Sequence, residues 1–253
     1  MDSKTNPVKK IKTRGIYLLP NLLTTAALFS GFYSIVAAMK GYFDVAAIAV
    51  FIAMVLDGLD GRVARMTNTQ TAFGAEYDSL SDMVAFAIAP SLIVYSWSLH
   101  TLGKFGWLVA FIYTAATALR LARFNTQSHD TDKRYFQGLP SPAAAAVVAG
   151  MVWCASYYEI SGMFIAVPAA VVTLCAAALM VSRVRYYSFK QIDFKGKVPF
   201  IMVVILVFII AGIAIDPPQI LFGVFLVYGG SGPVVTLWQL RKMRRRLKMD
   251  NKK

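Results

Sequence analysis

Eight apolar stretches recur along this 253-residue chain, and they leave it few folds to choose from. They cover 16–39, 45–56, 83–99, 105–119, 139–158, 162–182, 198–215 and 217–240, and the second runs on into a cluster of aspartates. A helix needs about 20 residues to cross the hydrocarbon of a bilayer, and several of these stretches have that length. Backbone N–H and C=O groups find no water at that depth, so each span must pair them internally as a helix. With 57% hydrophobic residues and a mean hydropathy of +0.57, the expected class is an all-α integral membrane protein of about eight transmembrane helices. The first stretch is too long for the apolar part of a secretory leader, and no small-residue cleavage site follows it, so no cleaved leader is expected.

The formal net charge of +13 would suit a nucleic-acid binder, but its placement argues against one. Of the 26 Lys and Arg residues, 24 fall in 1–15, 61–78, 120–140, 182–199 and 241–253, which are alternate connections between the spans. The other connections hold only Lys40 and Lys104. Basic residues accumulate on the cytoplasmic side of membrane proteins. The pattern therefore puts both termini, and the aspartates near 57–82, on the cytoplasmic side of a multi-pass protein of the cell (inner) membrane. The tail R-K-M-R-R-R-L-K reads as a topology signal and an anchor to anionic lipid, and residues 1–15 as a basic lead, partly an interfacial helix. Cys154 and Cys175 lie in apolar spans without metal-ligand spacing and read as inert core thiols; His100 and His129 fall in loops. The G-G-S-G-P run at 229–233 reads as a site of close helix packing in the last span.

The chemistry concentrates in D-G-L-D-G-R-V-A-R at 57–65 and G-A-E-Y-D-S-L-S-D at 74–82. Charged groups at membrane depth are costly, and such residues are functional candidates by default. On a helix, residues three and four apart are neighbours. Asp57, Asp60 and Gly61 therefore share a face, Arg65 continues it one turn further, and Asp78 and Asp82 are one turn apart on the next helix. The polar segment 66–73 turns the chain back between them. One arginine cannot neutralise four carboxylates as a set of buried salt bridges. An all-oxygen ligand set without His or Cys suits hard cations, Mg²⁺ or Mn²⁺. One or two such ions can clamp a diphosphate, and Gly61 and Gly74 leave room for it.

The spacing D-x-x-D-G-x-x-A-R-x₈-G-x-x-x-D-x-x-x-D resembles the signature of the CDP-alcohol phosphotransferases, without a departure. The resemblance implies membrane enzymes with a six-helix core, usually homodimeric, which move a phosphoalcohol from a CDP-linked donor to an acceptor hydroxyl and release CMP. It implies that Asp57, Asp60 and Asp78 bind metal, and that Asp82 is both a ligand and the general base. It places Gly61, Arg65 and Gly74 in the CDP pocket, with Arg65 on the diphosphate. The segment L-P-N-L-L-T (19–24) resembles the family's first helix, which puts Asn21 and Thr24 on the nucleotide; Thr71 is a further candidate for that pocket. The chain then divides into the lead 1–15, a six-helix catalytic core 16–185, two additional helices in 186–240 and the basic tail 241–253.

The catalytic motif does not choose an acceptor. R-L-A-R-F-N (120–125) and F-Q-G-L-P-S-P-A-A-A (136–145) resemble the membrane-embedded phosphatidylserine synthases of this family. That resemblance implies CDP-diacylglycerol and serine as substrates, among membrane lipids. Serine carries a carboxylate, and arginine binds carboxylates through two parallel hydrogen bonds. Arg120, Arg123 and Asn125, at the cytoplasmic end of the fourth span, are the candidate serine ligands. Glycerol 3-phosphate or inositol phosphate acceptors would also call for arginines and stay open as alternatives. A divalent-cation transporter is a more distant one; its ion path would need polar groups running to the outer side, and these thin out away from 57–82.

Overall fold

The computed structural model describes residues 18–126, 135–187 and 200–250. The basic lead 1–15 and His129 lie outside the described residues.

Helices α1 (Leu18–Met39) and α2 (Phe43–Met66) form a tight hairpin, turned by Gly41 at φ +79°, a left-handed conformation that favours glycine. Lipid tails are as apolar as the side chains, so membrane helices associate through close packing and polar contacts rather than through hydrophobicity. Both appear here. Ala46, Ala47 and Ala53 are buried, Ser30 Oγ donates to the Ala49 carbonyl at 2.8 Å, and Ser34 Oγ donates to the Ala46 carbonyl at 2.8 Å. Gly31 faces Ala85 so closely that a Cβ at residue 31 would stand 2.7 Å from the Ala85 Cα. α2 continues unbroken from this apolar hairpin into the first aspartate pair.

The next helix starts at Ala72, well before the apolar stretch that begins at 83, because Thr71 caps it: Thr71 Oγ1 accepts from Gly74 N at 3.0 Å. It reaches Trp97 in three registers: α3 (Ala72–Asp82), a π-helical segment (Met83–Ile88) and α4 (Ala89–Trp97). The π-segment begins at the residue after Asp82, and Tyr113 Oη, fully buried, donates to its Phe86 carbonyl at 3.1 Å. Such π-turns recur at functional sites.

A 3₁₀ turn (Leu99–Leu102) leads into α5 (Lys104–Thr126), followed by α6 (Ser141–Tyr157) and α7 (Ala166–Val181). α6 is central: residues 143–152 are buried throughout. α8 (Phe200–Ile215) and α9 (Pro217–Asp250) complete the chain, with α9 resting on α6 where Gly150 meets Phe222 and on α2 where the Phe51 and Phe225 rings lie 6.1 Å apart. At the other end of the molecule from the aspartates, Asp216 caps α9 through Gln219 N and accepts from Tyr158 Oη. That bond to Asp216 pushes the Tyr158 phenol up to about 12.

One element was not in the helical expectation. β1 (Tyr135–Gln137) and β2 (Arg185–Tyr187) pair antiparallel, with Phe136 opposite Tyr186. Three-residue strands are too short to show an alternating pattern, and 47 residues lie between the two, so the ribbon is invisible to a periodicity reading.

Among the described residues, four helices are long and apolar enough to cross a membrane: Leu18–Met39, Ala72–Trp97, Lys104–Thr126 and Pro217–Thr236. Ser141–Tyr157 and Ala166–Val181 are shorter apolar helices. Large apolar side chains such as Phe29, Phe32, Phe111 and Phe208 point outward, as they do toward lipid, and the chain is a multi-pass membrane protein. Cys154 is half-buried, but Cys175 is exposed on the outside of α7, which corrects its reading as a core thiol. Lipid-facing and core positions are equally apolar, so composition could not separate them.

Candidate functional site

The last turns of α2 and helix α3 converge as the aspartate spacing requires. One oxygen each from Asp57, Asp60 and Asp78 lies within 4.8 Å of the other two. Asp60 is the most buried, at 5% exposure, and is held by Thr24 of α1, whose Oγ1 donates to Asp60 Oδ2 at 2.6 Å. Ser81 Oγ closes the same corner by donating to the Thr24 carbonyl at 3.2 Å. Three carboxylates on one another's doorstep repel, and the all-oxygen donor set is the kind that Mg²⁺ or Mn²⁺ takes. The trio therefore fits a divalent ion.

Asp82 stands one turn above Asp78 and just outside that trio. Its carboxyl is within hydrogen-bonding reach of Asp57 and in electrostatic range of the guanidinium of Arg120 on α5. Arg120 is held by Nη1 donating to Ser141 Oγ at 2.9 Å, at the start of α6. Its Nε is buried and has no hydrogen-bond partner among the described residues. A buried donor left unmade costs about 1–3 kcal/mol, which a bound acceptor oxygen would recover.

The expected nucleotide residues lie on α1, on the last turns of α2 and at the start of α3. An added Cβ at Gly61 would meet nothing within 4 Å, so that face of α2 is open. Gly74 is closer-packed: a Cβ there would lie 3.1 Å from Thr71 Oγ1 and 3.6 Å from Asn21 Oδ1, which brings α1 and α3 together at Asn21. Thr71 has a structural task as the α3 cap, and Thr24 is engaged with Asp60. Arg65 is exposed in the last turn of α2.

The three candidate acceptor ligands separate. Arg120 bonds Ser141, in electrostatic range of Asp82. Arg123 turns to the ribbon and α7, its Nη2 bonding Gln137 Oε1 and its Nη1 the Val181 carbonyl at 3.4 Å. Asn125 Nδ2 donates to Ser79 Oγ at 2.9 Å and so ties the end of α5 to α3. Ser79, Ser81 and Ser141 were absent from the sequence reading, because nothing in a lone serine marks it as a tertiary partner.

The chain matches the CDP-alcohol phosphatidyltransferase family over residues 17–175. It is 38% identical over 215 residues to the CDP-diacylglycerol–serine O-phosphatidyltransferase of Helicobacter pylori (strain ATCC 700392 / 26695), which covers 85% of this chain and 90% of that relative. The protein of the same name from Saccharomyces cerevisiae is 36% identical over 140 residues, half of each chain. An archaetidylserine synthase from Methanothermobacter thermautotrophicus is 32% identical over 177 residues, 69% of this chain and 72% of that one. The matched region holds all four aspartates, Thr24 and Arg120, and this chain belongs to the CDP-alcohol phosphatidyltransferase family.

Proposed function

We propose that this protein transfers the phosphatidyl group of CDP-diacylglycerol to the hydroxyl of serine, giving phosphatidylserine and CMP. The observation that carries the reading is the three-carboxylate cluster with Asp82 beside it, in electrostatic range of an Arg120 anchored by Ser141. It sets a proton acceptor and a carboxylate-binding cation next to a cluster that fits a divalent ion. The names of the relatives support serine as acceptor across two differently named lipid products.

In this mechanism Asp57, Asp60 and Asp78, with Asp82 at the edge, would hold Mg²⁺ or Mn²⁺, two ions in the full complement. When bound, the metal neutralises the diphosphate and stabilises charge on the attacking and leaving oxygens. Thr24 fixes the Asp60 carboxylate by its 2.6 Å bond. Gly61, Gly74, Asn21 and Arg65 line the nucleotide end, and Thr71 shapes it by capping α3. Arg120 takes the serine carboxylate, with Arg123 and Asn125 at the rim. Asp82 accepts the proton of the serine hydroxyl as its oxygen bonds to the β-phosphorus; the bond to the bridging oxygen breaks and CMP leaves. A carboxylate is a weak base for an alcohol, so alignment of the two substrates supplies much of the acceleration. The proposal includes a homodimer, a site facing the cytoplasm of the inner membrane, and a catalytic core ending near 185.

The test is CMP release by the purified protein with CDP-diacylglycerol and Mg²⁺ or Mn²⁺, offered serine, glycerol 3-phosphate or inositol phosphate separately. Serine-dependent release is expected. Release with another acceptor alone would keep the metal site and overturn the assignment of serine.

A further inference from the structure

The last hairpin lies beyond the family match, yet one turn of α9 reaches the site through a specific joint. Pro233 lies inside α9 and has no N–H, so the carbonyl four residues earlier, at Gly229, loses its helical donor. Tyr186 of β2 fills that vacancy: its Oη donates to the Gly229 carbonyl at 2.8 Å. The Tyr186 ring is 1% exposed and lies against Gly232, where a Cβ would collide with it. Ser231 Oγ donates back to the Tyr228 carbonyl at 2.6 Å and satisfies a further group in the same turn. The run G-G-S-G-P is thus a socket for one tyrosine.

What the socket holds in place is Tyr228. Its ring lies 5.6 Å from that of Tyr186, tilted by 48°. α9 runs antiparallel to α6, with Gln219 bonded to Tyr158 and Phe222 against Gly150, so Tyr228 comes near the level of the start of α6, where Ser141 holds the Arg120 guanidinium. There it is in electrostatic range of Arg120, as Asp82 and Tyr113 are.

We propose that α9 forms a wall of the acceptor pocket and that Tyr228 is a positioning residue for Arg120, set by the Tyr186–Gly229 joint. The inference deepens the proposed function and rests on its reading of Arg120 as the holder of the acceptor's anionic group. The ribbon then has a purpose: β2 brings Tyr186 to α9 while β1 brings Gln137 to Arg123, so both arginines are braced through one two-stranded element.

The experiment is steady-state kinetics on the full-length protein, titrating acceptor and CDP-diacylglycerol in turn, for Tyr228→Leu and Tyr186→Phe. Tyr228→Leu is expected to raise the KM for serine roughly tenfold, with the KM for CDP-diacylglycerol within about twofold. Tyr186→Phe keeps the ring and frees the Gly229 carbonyl, and is expected to raise the same constant roughly threefold. An unchanged serine KM in both variants overturns the proposal, and so does an equal rise in both KM values, which would mean general loosening. If Tyr228→Leu does not fold, judged by its thermal unfolding, the serine KM of Tyr186→Phe decides alone. Should wild-type protein use a different acceptor, serine falls as the substrate; a rise in KM for that acceptor would still uphold Tyr228, and no rise would overturn it. CMP release with no acceptor at all would overturn both readings.

Discussion

The proposed donor half and the proposed acceptor half of this site are built in opposite ways. Asp57, Asp60, Asp78 and Asp82 come from 26 consecutive residues, two helix ends and the turn between them. Local geometry alone nearly assembles them, since each pair is one helical turn apart. Around Arg120, by contrast, α5, the first residue of α6, and Tyr228 of α9 meet from positions up to 108 residues apart. A metal and diphosphate site has one chemistry to serve and can be written as a compact motif. An acceptor pocket distinguishes one hydroxyl compound from another, and here that task is spread over tertiary contacts.

Substitutions can break or sharpen this contrast. Asp60→Asn should have the largest effect, lowering turnover about a thousandfold or more and removing any thermal stabilisation by Mn²⁺. A metal-dependent rise in the unfolding midpoint that survives the substitution would place the ion elsewhere. Asp82→Asn should lower turnover about 10²–10⁴-fold while CDP-diacylglycerol binding stays within about threefold; near-normal turnover would remove Asp82 as the base. Arg120→Ala belongs to the other half and should act mainly on the serine KM, by roughly 30-fold or more, since it removes the cation proposed to take the acceptor's carboxylate. An effect confined to the lipid substrate would move Arg120 to the donor half. Arg123→Ala should be the mildest, raising the serine KM about three- to tenfold, because its donors already serve Gln137 and Val181. A larger effect there than at Arg120 would reverse the order of the two arginines.

The same contrast explains how much could be read from the sequence. The spans, and the convergence of the aspartates, followed from hydropathy, from loop charge and from spacings of three and four. Thr24 was picked out with the first helix, but its bond to Asp60 was not, since 36 residues separate them and no local pattern joins them. Arg120 and Arg123 looked equivalent in R-L-A-R; three residues apart on α5, they bond to different partners, Ser141 for one and the ribbon for the other. The glycines of α9 were visible as a weak point in a helix, while the tyrosine that makes use of them lies 43 residues away. The π-segment left no trace, because it is a matter of hydrogen-bond register rather than of residue type.

That segment sets the phase of the helix that carries half the carboxylates. Residues 89–97 are packed into the buried core, while Asp78 meets Asp57 and Asp60 at the carboxylate cluster with Asp82 beside it. Six residues in the wider π register absorb the difference, as a spacer washer lets two threaded parts meet at the right angle. Each residue of an α-helix advances the direction of its side chains by about 100°. A one-residue deletion within 83–88 would keep every aspartate, every span and the overall hydropathy, and would still point Asp78 and Asp82 away from Asp57. In this helix the number of residues between the membrane body and the chemistry is as much a part of the active site as the acids themselves.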